Sequence, residues 1–319
     1  MSRLQTQIQI KYIKDTFERM LAKKLQLTRV TAPLFVKKSS GLNDDLNGVE
    51  ESVSFKVKED VVEIVHSLAK WKRDALKRYN FSYGEGLYTD MNAIRKDENV
   101  DHLHSIYVDQ WDWEKVITAE ERNLDYLFSV VSDIYSVIYN LSKKLTLKYG
   151  YKYDLPKEIT FISTTELMEL YPNLTNKERE KEITKANKAV FIYQIGWPLK
   201  DNKPFDGRAS DYDDWLLNGD ILVYSEIIDS QIELSSMGIR VDENSLVAQV
   251  KYKKEDYKLK NPYCLSILNK EAPLTIGGGI GQSRLCMFYL KKKHIAEVQA
   301  SYWPDEIIEK LNEEGVEIM

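Results

Sequence analysis

The sequence predicts one α+β domain over residues 1–319, on three observations. The first is size: 319 residues, 43% of them hydrophobic, can bury a large core, and no Pro/Gly/Ser-rich linker divides them. The second is the mixture of periods, because apolar residues recur at three- and four-residue steps in some stretches and alternate or run together in others. The third is a pair of β-rich stretches, 220–224 and 231–237, close enough to form an antiparallel hairpin centred near Ile227 and Ile228. Charge narrows the function. The chain holds 45 basic and 50 acidic residues, a net −5, which is no footprint for nucleic acid. Cys264 and Cys286 are the only cysteines, too few for a structural zinc site and suited to a reducing cytosol. No run of 18 apolar residues occurs, so a cytoplasmic protein without a membrane span is expected.

Taken in order, residues 5–25 place Ile10, Ile13, Phe17, Met20 and Leu21 on one side of a helix, and 27–36 read as extended, with Pro33 restricting them to a sheet edge or end. This pair fits a subunit interface or an element packed within the chain. Residues 41–48 form a polar loop whose Asp44 and Asp45 read either as turn formers or as catalytic acids. Two strands, 53–57 and 61–65, lead to His66, Ser67 and a helix carrying Lys70, Lys72, Arg73, Lys77 and Arg78. Such a basic face is expected to be solvated. Lys72, though, lies one turn into a helix that follows a strand end, where ligands bind. His102 and His104 lack partners at metal-ligand spacing and read as loop residues.

The strand at 106–116 is more telling. Its even positions Val108, Gln110, Asp112 and Glu114 share one face, and Tyr107, Asp109, Trp111 and Trp113 the other. The polar face faces solvent, or else it is buried beneath something cationic such as an ammonium group. A long helix is expected over 120–148. A strand over 159–163 then leads to a helix over 166–171 capped by Thr164 or Thr165, a helix follows over 178–187 and a strand over 189–195. In the hairpin, Leu222 faces Glu233 and Asp220 lies diagonal to Glu233. The two carboxylates are then either solvated or share a cation such as Mg²⁺ held mainly by nucleotide phosphates. Gly238 marks a bulge that re-aims Arg240.

Residues 275–285 read as a glycine-dense turn entering a helix, with Arg284 near its start. The turn either packs a strand closely on a helix or receives an anion at unpaired N–H groups. It is not a P-loop, since no Gly-Lys-Ser/Thr closes it, and its glycines do not keep the G-x-G-x-x-G spacing.

Several long motifs in a fixed order resemble those of ammonia-dependent asparagine synthetases, the aspartate-ammonia ligases. They are HSLAKWKR at 66–73, GEGLYT at 84–89, VDQWDWE at 108–114, DYDDW at 211–215, LNGDIL at 217–222, ELSSMGIR at 233–240 and GGGIGQSR at 277–284. The resemblance implies the fold of the class II aminoacyl-tRNA synthetase catalytic domain, an antiparallel sheet flanked by helices, in a homodimer. It implies that L-aspartate and Mg-ATP give a β-aspartyl adenylate and pyrophosphate, and that ammonia then yields asparagine and AMP.

It also implies roles. Arg95 bridges the substrate carboxylate and α-phosphate; Arg284, Arg208, Ser235 and Arg240 contact the nucleotide; Gly277, Gly278 and Gly279 give it room; and Ser105 through Val108 lie against adenine. Asp220 and Glu233 bind Mg²⁺. Ser67, Lys72, Asp112 and Asp213 hold aspartate, Gln110 on the same strand face joins Arg95 and Asp44 as a catalytic residue, and Asp44 receives ammonium and takes its proton. Ser210 stands where proline is expected, and the short run after Trp215 replaces a longer loop near the nucleotide lid. With both cysteines late in the chain, free ammonia rather than glutamine is the expected nitrogen donor. Two alternatives are a synthetase relative acting on RNA, which the missing anticodon-binding domain and the net charge disfavour, and a non-catalytic paralogue, which would have lost one of Asp44, Arg95, Glu233 or Arg284.

Overall fold

A computed structural model describes residues 2–46 and 50–319, so Asn47 and Gly48 of the predicted polar loop lie outside the described residues. The strands are β1 (Leu27–Arg29), β2 (Phe35–Lys37), β3 (Ser54–Val57), β4 (Asp60–Ile64), β5 (Gly86–Ile94), β6 (Tyr107–Val116), β7 (Thr160–Ser163), β8 (Ala189–Tyr193), β9 (Asp213–Ser225), β10 (Ser230–Arg240) and β11 (Thr275–Gly281). The helices are α1 (Arg3–Leu25), α2 (Ala69–Arg78), α3 (Leu124–Tyr149), α4 (Thr164–Leu170), α5 (Asn176–Asn187), α6 (Glu243–Lys253), α7 (Pro262–Leu268), α8 (Gln282–Tyr289) and α9 (Asp305–Glu313). Among the described residues, eight strands make one sheet in the order β1-β5-β6-β11-β10-β9-β8-β7, and a smaller sheet runs β2-β4-β3. The pairings from β5 across to β8 are antiparallel, as expected, while the outer pairs β1–β5 and β7–β8 are parallel.

Side-chain alternation on β6 divides the main sheet into two environments. Trp111 and Trp113 point into the largest core, where α1, α3 and α8 contribute Ile13, Phe17, Leu21, Val131, Ile134, Ile138, Leu285 and Met287. Phe17 stacks on Trp111 with ring centroids 5.0 Å apart. Aromatic contacts of this kind add about 0.5–1.5 kcal/mol to area burial and hold the helical layer in register with the strand. The opposite face of β6 carries the polar row and is left to α2 and the cavity described below.

Local chemistry moved several predicted boundaries. The long helix begins at Leu124, because Asn123 caps it by accepting from Tyr126 N. Ser163 caps α4 in a reciprocal box with Glu166, so neither Thr164 nor Thr165 does so. β9 begins at Asp213, which places Trp215 and the run after it inside a strand instead of a loop. The hairpin keeps the expected pairing of Glu233 with Leu222, but an irregularity after Glu233 sets Asp220 opposite Ser236, one residue further along than the regular diagonal requires, and a second irregularity follows Gly238.

Two expectations fail. Residues 275–281 form a strand inside the sheet, between β6 and β10, so the glycine-dense turn does not exist there. The basic face of α2 is solvated only in its last turn, at Lys77 and Arg78, whereas Lys70, Lys72 and Arg73 are each 1–2% exposed. Lys70 lies 2.6 Å from Asp211 Oδ2, which is 0% exposed. Arg73 donates to the carbonyls of Pro273 and Val241 at 2.9 and 2.8 Å. These cations clamp α2 to the chain's C-terminal half.

Removing one partner of a buried ion pair costs about 3–5 kcal/mol, since the other charge stays buried. Lys70→Met is therefore expected to lower the denaturation midpoint sharply, and Lys70→Met with Asp211→Leu to recover much of the loss. Equal midpoints for wild type and the single variant in chemical denaturation would refute this account.

Candidate active site

A cavity of about 360 Å³ opens beside the polar face of β6. Every site residue singled out in the sequence lines it except Gly277 and Asp220. The elements that meet there are the Asp44 loop, the start of α2, β5's exit at Arg95, β6, the segment before β9, β10, β11 and the start of α8.

The floor comes from the pairing of β6 with β11. Register sets Glu114, Asp112 and Gln110 opposite Gly277, Gly279 and Gly281. A Cβ on Gly279 would stand 2.7 Å from Asp112 Oδ1, and one on Gly277 2.5 Å from Glu114 Cδ and 2.7 Å from Arg240 Nη2. Both glycines therefore make room for polar side chains of the neighbouring strand. Gly278 differs. Its missing Cβ faces Met237 on the other side of the sheet, 2.5 Å away, while its carbonyl accepts from Lys72 Nζ at 2.8 Å.

Lys72 Nζ also lies 3.1 Å from Asp112 Oδ2 and 4.0 Å from Glu114 Oε2. The polar face is thus buried, and the ammonium covering it is the protein's own. Burial lowers the Lys72 pKa below the ordinary lysine value, with Arg240 adding to the fall, although Asp112 and Glu114 oppose it. Asp112 Oδ1 is buried with no hydrogen-bond partner. Arg240 binds Glu114 through Nε at 2.9 Å and Nη2 at 2.7 Å, and binds Asp213 through Nη1. Burial would raise the Glu114 pKa, but the Arg240 guanidinium holds it below the usual carboxylate value. For Asp213 burial prevails over Arg240, and its pKa is raised.

At one wall, Asp44 is 3% exposed and uses its two oxygens differently. Oδ1 accepts from Leu46 N at 2.9 Å, which is turn chemistry, and Oδ2 accepts from Ser67 Oγ at 2.8 Å. His66 Nδ1 lies 3.0 Å from the Asp44 carbonyl, and Asn43 Oδ1 accepts from His66 N at 2.9 Å. Behind this loop, Lys258 joins Asp45 at 3.1 Å and Glu255 at 3.0 Å, and Ser210 donates to Glu255 at 2.5 Å. Sequence reading missed these anchors, because nothing in a lysine-rich stretch marks Lys258 as the one that is 3% exposed.

The other wall is rich in arginine. Arg95 reaches the His66 carbonyl only at 3.4 Å, and Arg284 lies 3.3 Å from the Glu233 carbonyl and 3.7 Å from Glu233 Oε1, so both guanidinium groups are loosely held. Arg208 is ion-paired with Asp220. Asp220 sits behind that arginine, its Oδ1 buried and unpartnered, and its pKa is pushed up to about 7 by burial, against Arg208, with Glu233 adding to the rise. Glu233, whose side chain is 42% exposed at the mouth, is held below the ordinary value by Arg284 and Arg208 despite desolvation. The irregularity after Glu233 lets four consecutive residues, 233–236, reach the cavity, which regular alternation forbids. Ser235 Oγ is buried there without a partner. Ser105 contacts Ser301 at 2.8 Å beside Val108 at the far end. Among the described residues no group of three or more His, Cys, Asp or Glu could hold a metal ion.

A sheet of this order with a charged cavity on one face defines a class II synthetase-like catalytic domain. The solved structures agree. Asparaginyl-tRNA synthetase from Pyrococcus horikoshii, complexed with asparaginyl-adenylate, superposes with a TM-score of 0.68 at 16% identity, over 92% of this chain and 69% of that one. The Entamoeba histolytica asparaginyl-tRNA synthetase in complex with asparaginyl-adenylate gives 0.66 at 13% identity, over 94% and 68%. At these identities the likeness concerns the fold.

Sequence relatives specify the family. Residues 4–315 match the aspartate-ammonia ligase family. Aspartate–ammonia ligases of Ruminiclostridium cellulolyticum and Clostridium tetani are 55% and 54% identical, over 98% and 99% of this chain and 95% and 94% of theirs. The chain belongs to the aspartate-ammonia ligase family, and it is a ligase of asparagine biosynthesis. No helix among the described residues is long and apolar enough to cross a membrane.

Proposed function

We propose that this chain joins ammonia to the β-carboxylate of L-aspartate by way of a β-aspartyl adenylate, consuming ATP and releasing AMP and pyrophosphate. The observation that carries this reading is the division of one cavity into an acidic floor around Lys72 and an arginine wall. Aspartate brings an ammonium and two carboxylates, which suit Asp112 and Asp213 on one side and Lys72 and Ser67 on the other, with Gln110 alongside. A nucleotide triphosphate suits Arg95, Arg208 and Arg284, with Ser235, Gly278 and Gly279 beneath it and Ser105 and Val108 at the base.

In the first step an oxygen of the β-carboxylate attacks the α-phosphorus and pyrophosphate departs with the breaking P–O bond. Both reactants are anions, so Arg95, held by long contacts and free to bridge them, lowers the barrier by stabilising charge. In the second step the lone pair of ammonia attacks the β-carbonyl carbon and AMP leaves. Only NH₃ has that lone pair, and Asp44 takes the proton that ammonium must lose.

Mg²⁺ is implied as a companion of ATP. Asp220, with its buried unpartnered Oδ1, and Glu233 fit a cation held chiefly by phosphates, with oxygen ligands of the right kind. When bound there it would screen phosphate charge.

Leu34, Phe35, Phe55 and Val57 are exposed on or beside the small sheet, with Phe35 and Phe55 in edge contact at 5.4 Å, and this apolar face supports a homodimer. A solution mass corresponding to a monomer would remove that part of the reading. Cys264 and Cys286, free and buried, suit the cytoplasm.

Purified protein given aspartate, ATP, Mg²⁺ and ammonium is expected to form asparagine, AMP and pyrophosphate in equal amounts. ADP and phosphate in their place would exclude the adenylate route. Asp44→Ala is expected to retain aspartate-dependent exchange of pyrophosphate into ATP while losing asparagine formation by about 10²–10⁴-fold, the usual weight of a general base. Unchanged asparagine synthesis would remove Asp44 from this role.

The Lys72 shift predicts a pH effect. With its pKa below 10.5, Lys72 loses its proton earlier than a free lysine as pH rises, so the KM for aspartate is expected to climb before pH 10.5 while the KM for ATP does not follow. Parallel profiles for the two substrates would count against it.

A further inference from the structure

Glu114 has no part in the scheme above, although it is the most enclosed acid of the floor, at 0% exposed. It does not line the cavity. Its two oxygens accept from Arg240 Nε and Nη2 and from Thr275 Oγ1, the last at 2.7 Å, and Lys72 Nζ lies 4.0 Å away. Arg240 in turn reaches Asp213, and Lys72 reaches Asp112 and the Gly278 carbonyl. One buried carboxylate therefore orients two cations, each of which also touches an acid at the cavity surface. Space around it is equally constrained, since a Cβ on the residue opposite would fall within 2.5 Å of Glu114 Cδ and 2.7 Å of Arg240 Nη2. Those side-chain ends are locked in a buried network and cannot swing aside.

We infer that Glu114 is a positioning residue for the aspartate side of the site, holding Arg240 and Lys72 in place for the substrate's charged groups, and that position 277 is glycine because Glu114 and Arg240 fill the space a side chain would need. Arg240 then belongs functionally with Lys72 and Asp213 rather than with the nucleotide. Gly277 serves the substrate pocket from beneath instead of making room for the nucleotide. The inference rests on the proposed reading that aspartate and ATP share this cavity.

The experiment compares the two Michaelis constants in wild type, Glu114→Gln, Gly277→Ala and the double variant Glu114→Asp/Gly277→Ala. Wild type is assayed first for AMP formation from aspartate and ATP. Its absence would defeat the underlying reading, whatever the variants do. With that activity in hand, Glu114→Gln and Gly277→Ala are each expected to raise the KM for aspartate at least about tenfold, equivalent to about 1.4 kcal/mol of lost binding, and to leave the KM for ATP within about twofold. The shorter aspartate at 114 makes room for the methyl at 277, so the double variant is expected to bind aspartate better than Gly277→Ala alone, a coupling that independent sites would not show. This comparison stands even if Glu114→Gln fails to fold. A rise confined to the KM for ATP in Gly277→Ala, or a double variant no better than Gly277→Ala, would overturn the inference.

Discussion

The register of β6 against β11 is the constraint on which the rest depends. It sets three polar side chains opposite three glycines in the interior of the sheet. Gln110, Asp112 and Glu114 would be costly to bury among ordinary side chains, and β11 has no side chains to offer at 277, 279 and 281. The space so released is filled at Gly277 by Glu114 and Arg240 and at Gly279 by Gln110 and Asp112. A slip of one residue would turn the glycines toward the core and set Ile276 and Ile280 against the carboxylates. The tryptophan face of β6, packed under α1, prevents that slip. The helical layer on one side of the sheet thus secures the chemistry on the other.

Charge follows from the same arrangement. The floor contains Asp112, Glu114 and Asp213 with Lys72 and Arg240, and for two of the acids the balance of burial against pairing differs: the Glu114 pKa goes down because Arg240 outweighs its burial, while that of Asp213 goes up because burial exceeds the compensation from Arg240. At the arginine wall, Arg95 and Arg284 are loosely held, which leaves donors with five N–H groups each beside an open volume. Glu114 and Arg240, whose hydrogen bonds are made within the floor, serve as scaffold, whereas the unpartnered Asp112 Oδ1 and the loosely held Arg95 and Arg284 are left for contact.

Much of this was legible in sequence, and for identifiable reasons. The alternation at 107–114 revealed both faces of β6, and the spacing of the two strands around Ile227 gave the Glu233–Leu222 pairing without knowledge of the bulge. The glycine strand was misread because a run of glycines signals a turn by local propensity, whereas its cause lies in residues more than 160 positions earlier. The first turn of α2 was misread likewise, though not Lys77 and Arg78 in the last: lysines on a helix are solvated unless a remote acid is brought to them, and Asp211 lies 141 residues beyond Lys70. Caps such as Ser163 and Asn123 shifted boundaries by a few residues, since several Ser, Thr and Asn side chains competed for each role. Family resemblance collected the site residues, but it could not say that Gly277 and Asp220 stand behind the cavity wall.

The pairing of Arg208 with Asp220 has one more consequence. On the proposed reading Asp220 and Glu233 would hold a divalent ion that arrives with the nucleotide, and because Asp220 is already paired with Arg208 the ion would meet a site whose charge is partly balanced. In the resting protein Arg208 opposes the repulsion between Asp220 and Glu233, which still adds to the rise in the Asp220 pKa. Arg208 lines the cavity itself, so the cation that balances Asp220 also belongs to the arginine wall.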